Sequence, residues 1–118
     1  MPQRRHREDK IQPTRHYSKA QEDKVASKFG GQRTLNSGAT AFQPGDVMLD
    51  KFLLECKTKV RPSSSMSIQK EWLEKLEKEA LFSGKQYSAL VFNFGPNEKN
   101  YYVIDEYLFE TLVGKIDG

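Results

Sequence analysis

The sequence predicts one small α/β domain with a mixed central β-sheet flanked by helices. Three segments predict this fold. Residues 47–60 hold two apolar runs separated by Asp50-Lys51, a pattern that favours a β-hairpin. Residues 68–82 repeat apolar side chains at the spacing of one helix face. Residues 87–94 form a nearly continuous apolar run, which is typical of a central strand buried on both sides.

The remaining elements are predicted from shorter signals. Residues 17–29 have a helical pattern, and Gly30-Gly31 ends this first helix. The next stretch is rich in Ser, Gly, Thr and Asn, which indicates a loop with a short strand around residues 33–35. Residues 100–105 predict a further strand and residues 106–114 a closing helix. The predicted order is therefore helix, hairpin, helix, strand, strand, helix.

The composition argues against several classes of protein. The chain has 118 residues, of which 36% are hydrophobic and 30% charged, and this is enough for one core. No apolar run approaches the roughly 20 residues of a membrane span, and the basic N-terminus lacks the apolar segment of a secretory signal. We therefore expect a cytoplasmic protein that makes no membrane contact.

Cysteine and histidine are too scarce for several kinds of catalytic or metal site. Cys56 is the single cysteine, so an internal disulfide and a multi-cysteine zinc site are excluded. We expect it to be a small buried side chain rather than a nucleophile. The two histidines, His6 and His16, lie in a polar leader. Any chemistry is therefore expected from carboxylates, lysines and hydroxyls.

Positive charge is concentrated at the N-terminus. The net charge is +3, yet residues 1–19 alone carry six basic and two acidic side chains. We interpret residues 1–16 as a basic flexible arm that precedes a domain at 17–118. Such an arm is suited to contacting the phosphates of nucleic acid, and a solvated tail without a partner is the alternative.

The hairpin holds the residues that suggest chemistry. Asp46 opens its first strand, and Glu55 and Lys57 lie two positions apart on the return strand, on one face. A short hairpin brings Asp46 beside Glu55. Two carboxylates and the backbone carbonyl of Cys56 then offer oxygen ligands for Mg²⁺, and Lys57 can position the attacking water. A cross-strand salt bridge, or an edge strand turning toward solvent, is the structural alternative.

This pattern resembles the PD-(D/E)XK nuclease superfamily, and in particular its Holliday junction resolvase branch. The motif here is Pro44-Gly45-Asp46, eight residues, then Glu55-Cys56-Lys57, with a glycine between the proline and the aspartate. Members of that branch also have an acidic residue in a first helix, a Gly/Ser loop and an early glutamine in the helix after the Glu-x-Lys strand. The corresponding positions here are Glu22, residues 33–39 and Gln69.

The resemblance implies a restriction-endonuclease-like fold and a Mg²⁺-dependent endonuclease, with Mn²⁺ as a substitute. The substrate would be branched DNA in recombination and repair, and the enzyme a homodimer. Glu22, Asp46 and Glu55 would be the metal carboxylates, with Asp23 competing for the place of Glu22. Lys57 would position the water and Gln69 would support the site. The side chains expected to contact DNA are Arg4, Arg5, Arg7, Arg15, Arg33, Ser37, Lys59 and Arg61.

Two alternatives remain open from the sequence. The same site would serve a nuclease that acts on duplex or single-stranded DNA, because metal chemistry does not encode DNA shape. A non-catalytic basic DNA-binding protein is the other alternative, with the carboxylates in ordinary salt bridges. Elsewhere, we expect Trp72 to pack on a helix face, and one of Tyr101 and Tyr102 to face inward. Part of a dimer interface is expected from Phe92, Phe94, Tyr102, Leu108 and Phe109.

Overall fold

The computed structural model describes residues 14–34 and 46–118, and it confirms an α/β domain with a mixed sheet. Three helices and five strands lie in these residues. In chain order they are α1 (Thr14–Phe29), β1 (Gln32–Arg33), β2 (Asp46–Met48), β3 (Phe52–Lys57), α2 (Lys70–Phe82), β4 (Tyr87–Phe92), β5 (Tyr101–Val103) and α3 (Glu106–Asp117).

The five strands lie in the sheet in their sequence order. β1, β2 and β3 form an antiparallel meander, β3 pairs in parallel with β4, and β5 returns antiparallel along β4. The predicted hairpin turn at Asp50-Lys51 is confirmed, because the amide of Leu49 donates to the carbonyl of Phe52 at 2.9 Å. A parallel pair needs a crossover connection, and α2 lies in the crossover between β3 and β4.

Alternating side chains on β3 and β4 divide the core into two layers. On one face α1 packs against the sheet, through Val25, Ala26, Val47, Leu54, Ala89 and Val91. On the other face α2 packs through Leu53, Leu76, Ala80 and Leu90, with Trp72 partly buried beside them. The helix pattern over residues 68–82 therefore predicted the correct buried face, and Trp72 packs as expected.

The ends of several elements differ from the sequence prediction. α1 begins at Thr14, three residues before the predicted start, since the residues before Tyr17 contain no helix breaker after Pro13. α2 begins at Lys70, and Gln69 is its N-cap, with extended backbone at φ −84° and ψ 132°. β4 and β5 are shorter than predicted, and α3 runs past Gly114 to Asp117.

The edge of the sheet at β5 is open to solvent. Tyr101 and Tyr102 are both exposed, so the expectation that one of them is buried is wrong. The reason is that β5 is a three-residue strand at the edge of the sheet, and among the described strands it pairs with β4 alone. Tyr101 stacks on Phe92 and Tyr102 meets the edge of Phe29 instead. Within residues 14–34 and 46–118, no helix is both long and apolar enough to cross a membrane.

Truncating a core residue of α2 tests this layering. Leu76 is 1% exposed, so we expect Leu76→Ala to lower the free energy of unfolding by about 2–5 kcal/mol through lost burial and a cavity. Lys78→Ala, at an exposed position of the same helix, is expected to change it by less than about 0.5 kcal/mol. Urea denaturation followed by circular dichroism measures both, and equal losses would contradict the assigned face.

Candidate functional site

The register of the hairpin brings two of the predicted site carboxylates together. Asp46 lies directly opposite Glu55 across β2 and β3, and opposed residues of an antiparallel pair point to the same face. Lys57 shares that face because it is two residues from Glu55. Asp46 is fully buried, whereas Glu55 and Lys57 are half-buried. The sequence therefore predicted this juxtaposition correctly.

Lys57 is held in a defined position by two neighbours. Its Nζ lies 2.9 Å from Glu55 Oε2, and it also lies 4.3 Å from the centre of the Trp72 ring. A carboxylate and an aromatic face both attract an ammonium group, so together they restrict where the charge of Lys57 can point. Trp72 therefore packs in the core layer beneath α2 and also contacts Lys57 of the candidate site.

Glu22 approaches the same strand from the other side of the sheet. It lies on α1, is fully buried, and accepts a hydrogen bond from Arg33 Nη1 at 3.3 Å. Arg33 Nε also pairs with Asp23 Oδ1 at 2.8 Å. A buried carboxylate needs such a partner, because unpaired charge is costly to remove from water. The adjacent acids Glu22 and Asp23 therefore share one guanidinium, and Glu22 is the buried member.

The thiol of Cys56 lies near the carboxylates of Glu22, Asp46 and Glu55. Burial, followed by the negative charges of Glu22, Asp46 and Glu55, raises the pKa of Cys56 far above its ordinary value. All three carboxylates therefore lie near this residue of β3, although they are distributed over both faces of the sheet. Among the described residues, no group of three or more His, Cys, Asp or Glu side chains is arranged to hold a metal ion.

The remaining predicted site residues lie in several places. Gln69 is exposed at the start of α2, one turn before Trp72, whose amide donates to its carbonyl at 3.0 Å. Lys59 donates to Ser63 Oγ at 3.2 Å, and Arg61 is exposed. Arg15 lies on α1. The other predicted DNA contacts, Arg4, Arg5, Arg7 and Ser37, lie outside the described residues.

A buried amide network behind Lys57 was not predicted from the sequence. The Gln21 side chain, 5% exposed on α1, donates through Nε2 to the carbonyl oxygen of Lys57 at 3.0 Å and to Asn100 Oδ1 at 3.2 Å. Asn93 Nδ2 donates to the same Asn100 oxygen, while Asn93 Oδ1 accepts from Thr58 at 2.7 Å. This network fixes the backbone at the end of β3, on the side opposite the Lys57 side chain.

Comparison of the chain with protein-family models, with curated proteins and with solved structures gives no match. The functional assignment therefore rests on the residues and their geometry.

Removing the amide of Gln21 tests the network. We expect Gln21→Leu to lower the free energy of unfolding by about 1–3 kcal/mol, because it removes the amide that donates to the partly buried carbonyl of Lys57 and one of the two donors to Asn100 Oδ1. Lys24→Leu introduces the same side chain at an exposed position of the same helix and should be nearly neutral. Urea denaturation compares the two, and an unchanged midpoint for Gln21→Leu would rule out an energetic role for the network.

The raised pKa of Cys56 predicts a slow thiol. The thiolate is the reactive form, so at pH 8 alkylation by iodoacetamide should be at least about 100-fold slower in the native protein than in the urea-unfolded chain. In the unfolded chain the alkylation rate should level off once the pH exceeds the ordinary thiol pKa of about 8.5. In the native protein the alkylation rate should still be rising at that pH. The single cysteine makes the signal unambiguous. A native rate that levels off below pH 9 would contradict the raised pKa.

Proposed function

We propose that this protein is a Mg²⁺-dependent endonuclease that hydrolyses phosphodiesters in branched DNA. The observation that supports it most is the pairing of Asp46 with Glu55 on one face of the β2–β3 hairpin, with Lys57 beside them. Two carboxylates and an ammonium group in this arrangement supply what metal-assisted phosphodiester hydrolysis requires of a protein. The resemblance to the PD-(D/E)XK nucleases carries the same roles onto the same residues.

The donor atoms suit a hard divalent cation. Carboxylate oxygens of Asp46 and Glu55 and the backbone carbonyl of Cys56 are the ligand types that Mg²⁺ prefers, with Mn²⁺ as a substitute. Glu22 is the fourth proposed ligand, but Arg33 already neutralises its carboxylate from the other layer of the fold. When bound, the cation would polarise the phosphodiester and lower the pKa of a coordinated water.

The protein's own groups would supply the remaining steps. Lys57 is positioned by Glu55 and Trp72, so its ammonium can orient a water by hydrogen bonding and offset negative charge on the phosphate. The carbonyl of Lys57 is fixed from behind by Gln21, which limits movement of the strand end. Gln69, exposed where α2 begins, would support the site from the N-terminal end of that helix.

Binding of DNA would use positive charge near the same strand end. Lys59 and Arg61 follow Lys57 along the chain, and Lys70 is exposed in the first turn of α2. These side chains suit contacts to phosphates, which position a duplex without reading its sequence. Recognition of branched DNA, and a homodimer with one site for each of two strands, are carried over from the resemblance.

The ion pairs of the site favour one other candidate function, that of a non-catalytic DNA-binding protein. Glu55 pairs with Lys57 and Glu22 pairs with Arg33, as expected if these charges only stabilise the fold of a non-catalytic DNA-binding protein. In that case DNA affinity would come from the basic residues and fall steeply with salt. The two candidates make opposite predictions for neutral substitutions of the carboxylates.

Cleavage of a labelled four-way junction tests the proposal. We expect paired nicks near the branch point with Mg²⁺ or Mn²⁺ and none with EDTA. Asp46→Asn should reduce the rate by more than about 100-fold, because it removes the charge that would bind the cation. Asp50→Asn makes the same chemical change at the exposed hairpin turn and should cleave like the parent. Linear, nicked and flapped substrates alongside would show whether a branch is required.

Two outcomes would overturn the proposal. If the Asp46→Asn variant cleaves the junction as fast as the parent protein, Asp46 is not part of the catalytic site. Salt-sensitive binding to DNA, with no cuts by the parent protein in either metal, would favour the non-catalytic candidate. Circular dichroism of each variant separates loss of chemistry from loss of fold.

A further inference from the structure

A row of three side chains crosses the sheet where β3 and β4 end. Lys57 lies opposite Phe92 in the parallel pair of strands, and Phe92 lies opposite Tyr101 in the antiparallel pair with β5. Side chains at paired positions of neighbouring strands point to the same face. The row therefore begins at the candidate site and runs to the exposed edge of the sheet, on the face that α2 covers further along the strands.

The two aromatic members of this row form an aromatic cluster with Phe94. The rings of Phe92 and Tyr101 stack with their centres 5.7 Å apart. Phe94 makes edge contacts with both, at 5.4 Å from the Phe92 ring and 5.8 Å from the Tyr101 ring. The phenylalanines are partly buried, whereas Tyr101 remains 44% exposed. They therefore hold the tyrosine ring in place at the surface.

Lysine side chains lie beside two members of the aromatic cluster. Lys99 Nζ lies 5.5 Å from the centre of the Tyr101 ring, which is the range of a cation–π contact. The carbonyl of Phe94 accepts from the amide of Ser63 at 2.8 Å, and Ser63 Oγ accepts from Lys59 Nζ at 3.2 Å. The aromatic cluster therefore has an ammonium group near it at both of these places.

The segments next to the aromatic cluster are basic. Residues 57–63 and 95–100 carry four basic side chains and one acidic side chain, which are Lys57, Lys59, Arg61, Lys99 and Glu98. An apolar protein surface placed here would remove ammonium groups from water with little counter-charge, which is costly. A polyanion that also presents flat rings would meet both the positive charge and the aromatic side chains. A strand of DNA has that chemistry.

Unpaired bases are the part of DNA that an aromatic ring can reach. They stack on Tyr and Phe side chains with little regard to sequence, while lysines contact the phosphates. A paired base is already stacked between its neighbours in the duplex, so it must leave the stack before a protein ring can cover its face. The aromatic cluster therefore suits DNA in which strands have separated.

We propose that the aromatic cluster stacks unpaired bases of the DNA strand whose phosphate lies at Lys57. The inference rests on the proposed function for the choice of DNA as the ligand, and it adds the feature that the protein would recognise beside its site. Neighbouring strands of a sheet lie about 4.8 Å apart, so Tyr101 lies about 10 Å from Lys57 across the sheet. That is the length of about three stacked nucleotides of one strand. The substrate class is therefore DNA with unpaired bases within about three nucleotides of the cut.

Binding of a single strand in EDTA tests the inference without cleavage. The probes are a fluorescein-labelled oligothymidylate of about 12 nucleotides and a duplex of the same length, each titrated with the full chain and followed by fluorescence anisotropy. Tyr101→Leu should raise the dissociation constant for the single strand about 10-fold or more, because it removes a ring on which a base stacks. It should change the constant for the duplex less than 2-fold, about the error of such a titration. Tyr101→Phe keeps a ring and should bind both probes like the parent protein.

Tyr102 provides the matched control on the same strand. It is 39% exposed, and its ring meets the edge of Phe29 of α1, so it lies on the opposite face of the sheet. Tyr102→Leu makes the same chemical change at a similar exposure and should leave both dissociation constants unchanged. Circular dichroism shows whether each variant keeps the fold.

A photochemical crosslink locates the stacked base in the parent protein. A 5-iododeoxyuridine placed in the oligothymidylate forms a covalent bond with a nearby aromatic ring on irradiation. Mass spectrometry of the digested product should place that bond within residues 92–101. This measurement decides the question if Tyr101→Leu fails to fold, because it requires no variant.

The results separate this inference from the proposed function. Equal single-strand binding by the parent and Tyr101→Leu would overturn the inference, and so would an equal loss in Tyr102→Leu or crosslinks confined to other residues. The rings would then serve only in packing. A protein that cuts junctions but does not need the Tyr101 ring for binding keeps the proposed function alone. A protein that stacks bases at the aromatic cluster and cuts no DNA keeps the inference and favours the non-catalytic candidate.

Discussion

The pairing register of β2 and β3 is the constraint on which both the core and the candidate site depend. Val47 and Leu54 lie opposite each other and bury themselves beneath α1, so their neighbours Asp46 and Glu55 must share the other face. A slip of one residue would exchange the faces of every side chain on the strand. It would place Glu55 in the apolar layer beneath α1, where removing its charge from water is costly. The apolar residues therefore fix the geometry of the acidic ones.

Burial of charge around β3 is the second feature that shapes the molecule. Glu22 and Asp46 are both fully buried, and each carboxylate removed from water needs polar partners to offset the lost hydration. Arg33 provides one for Glu22 and ties α1 to β1 in doing so. The resulting negative potential is large enough to raise the pKa of Cys56 in addition to the effect of burial. Arg33 and Lys57 supply positive charge to these acidic groups, through ion pairs with Glu22 and Glu55.

The sequence predicted the elements and the pair Asp46 and Glu55, because both follow from local periodicity and a short turn. It did not predict Gln21 as a contact of Lys57, since the two are 36 residues apart and a glutamine in a helix has no pattern that reveals its partner. The same holds for Arg33, expected at DNA and held here by two acids of α1. The starts of α1 and α2 were misplaced by three and two residues, because a helical pattern defines the ends of a helix less well than its middle. Long-range side-chain contacts, rather than secondary structure, are what a single sequence leaves undetermined.

The start of α3 and the candidate site lie at opposite ends of the same two strands. A cleft beside α3 is lined by Tyr87 and Ser88, at the start of β4. Lys57 pairs with Phe92, at the other end of the same strand. Because β3 and β4 run in parallel, the site lies where both strands end and the cleft lies where both begin. The start of α3 therefore lies away from Lys57, and the element that contacts Lys57 from the neighbouring layer is α2, through Trp72.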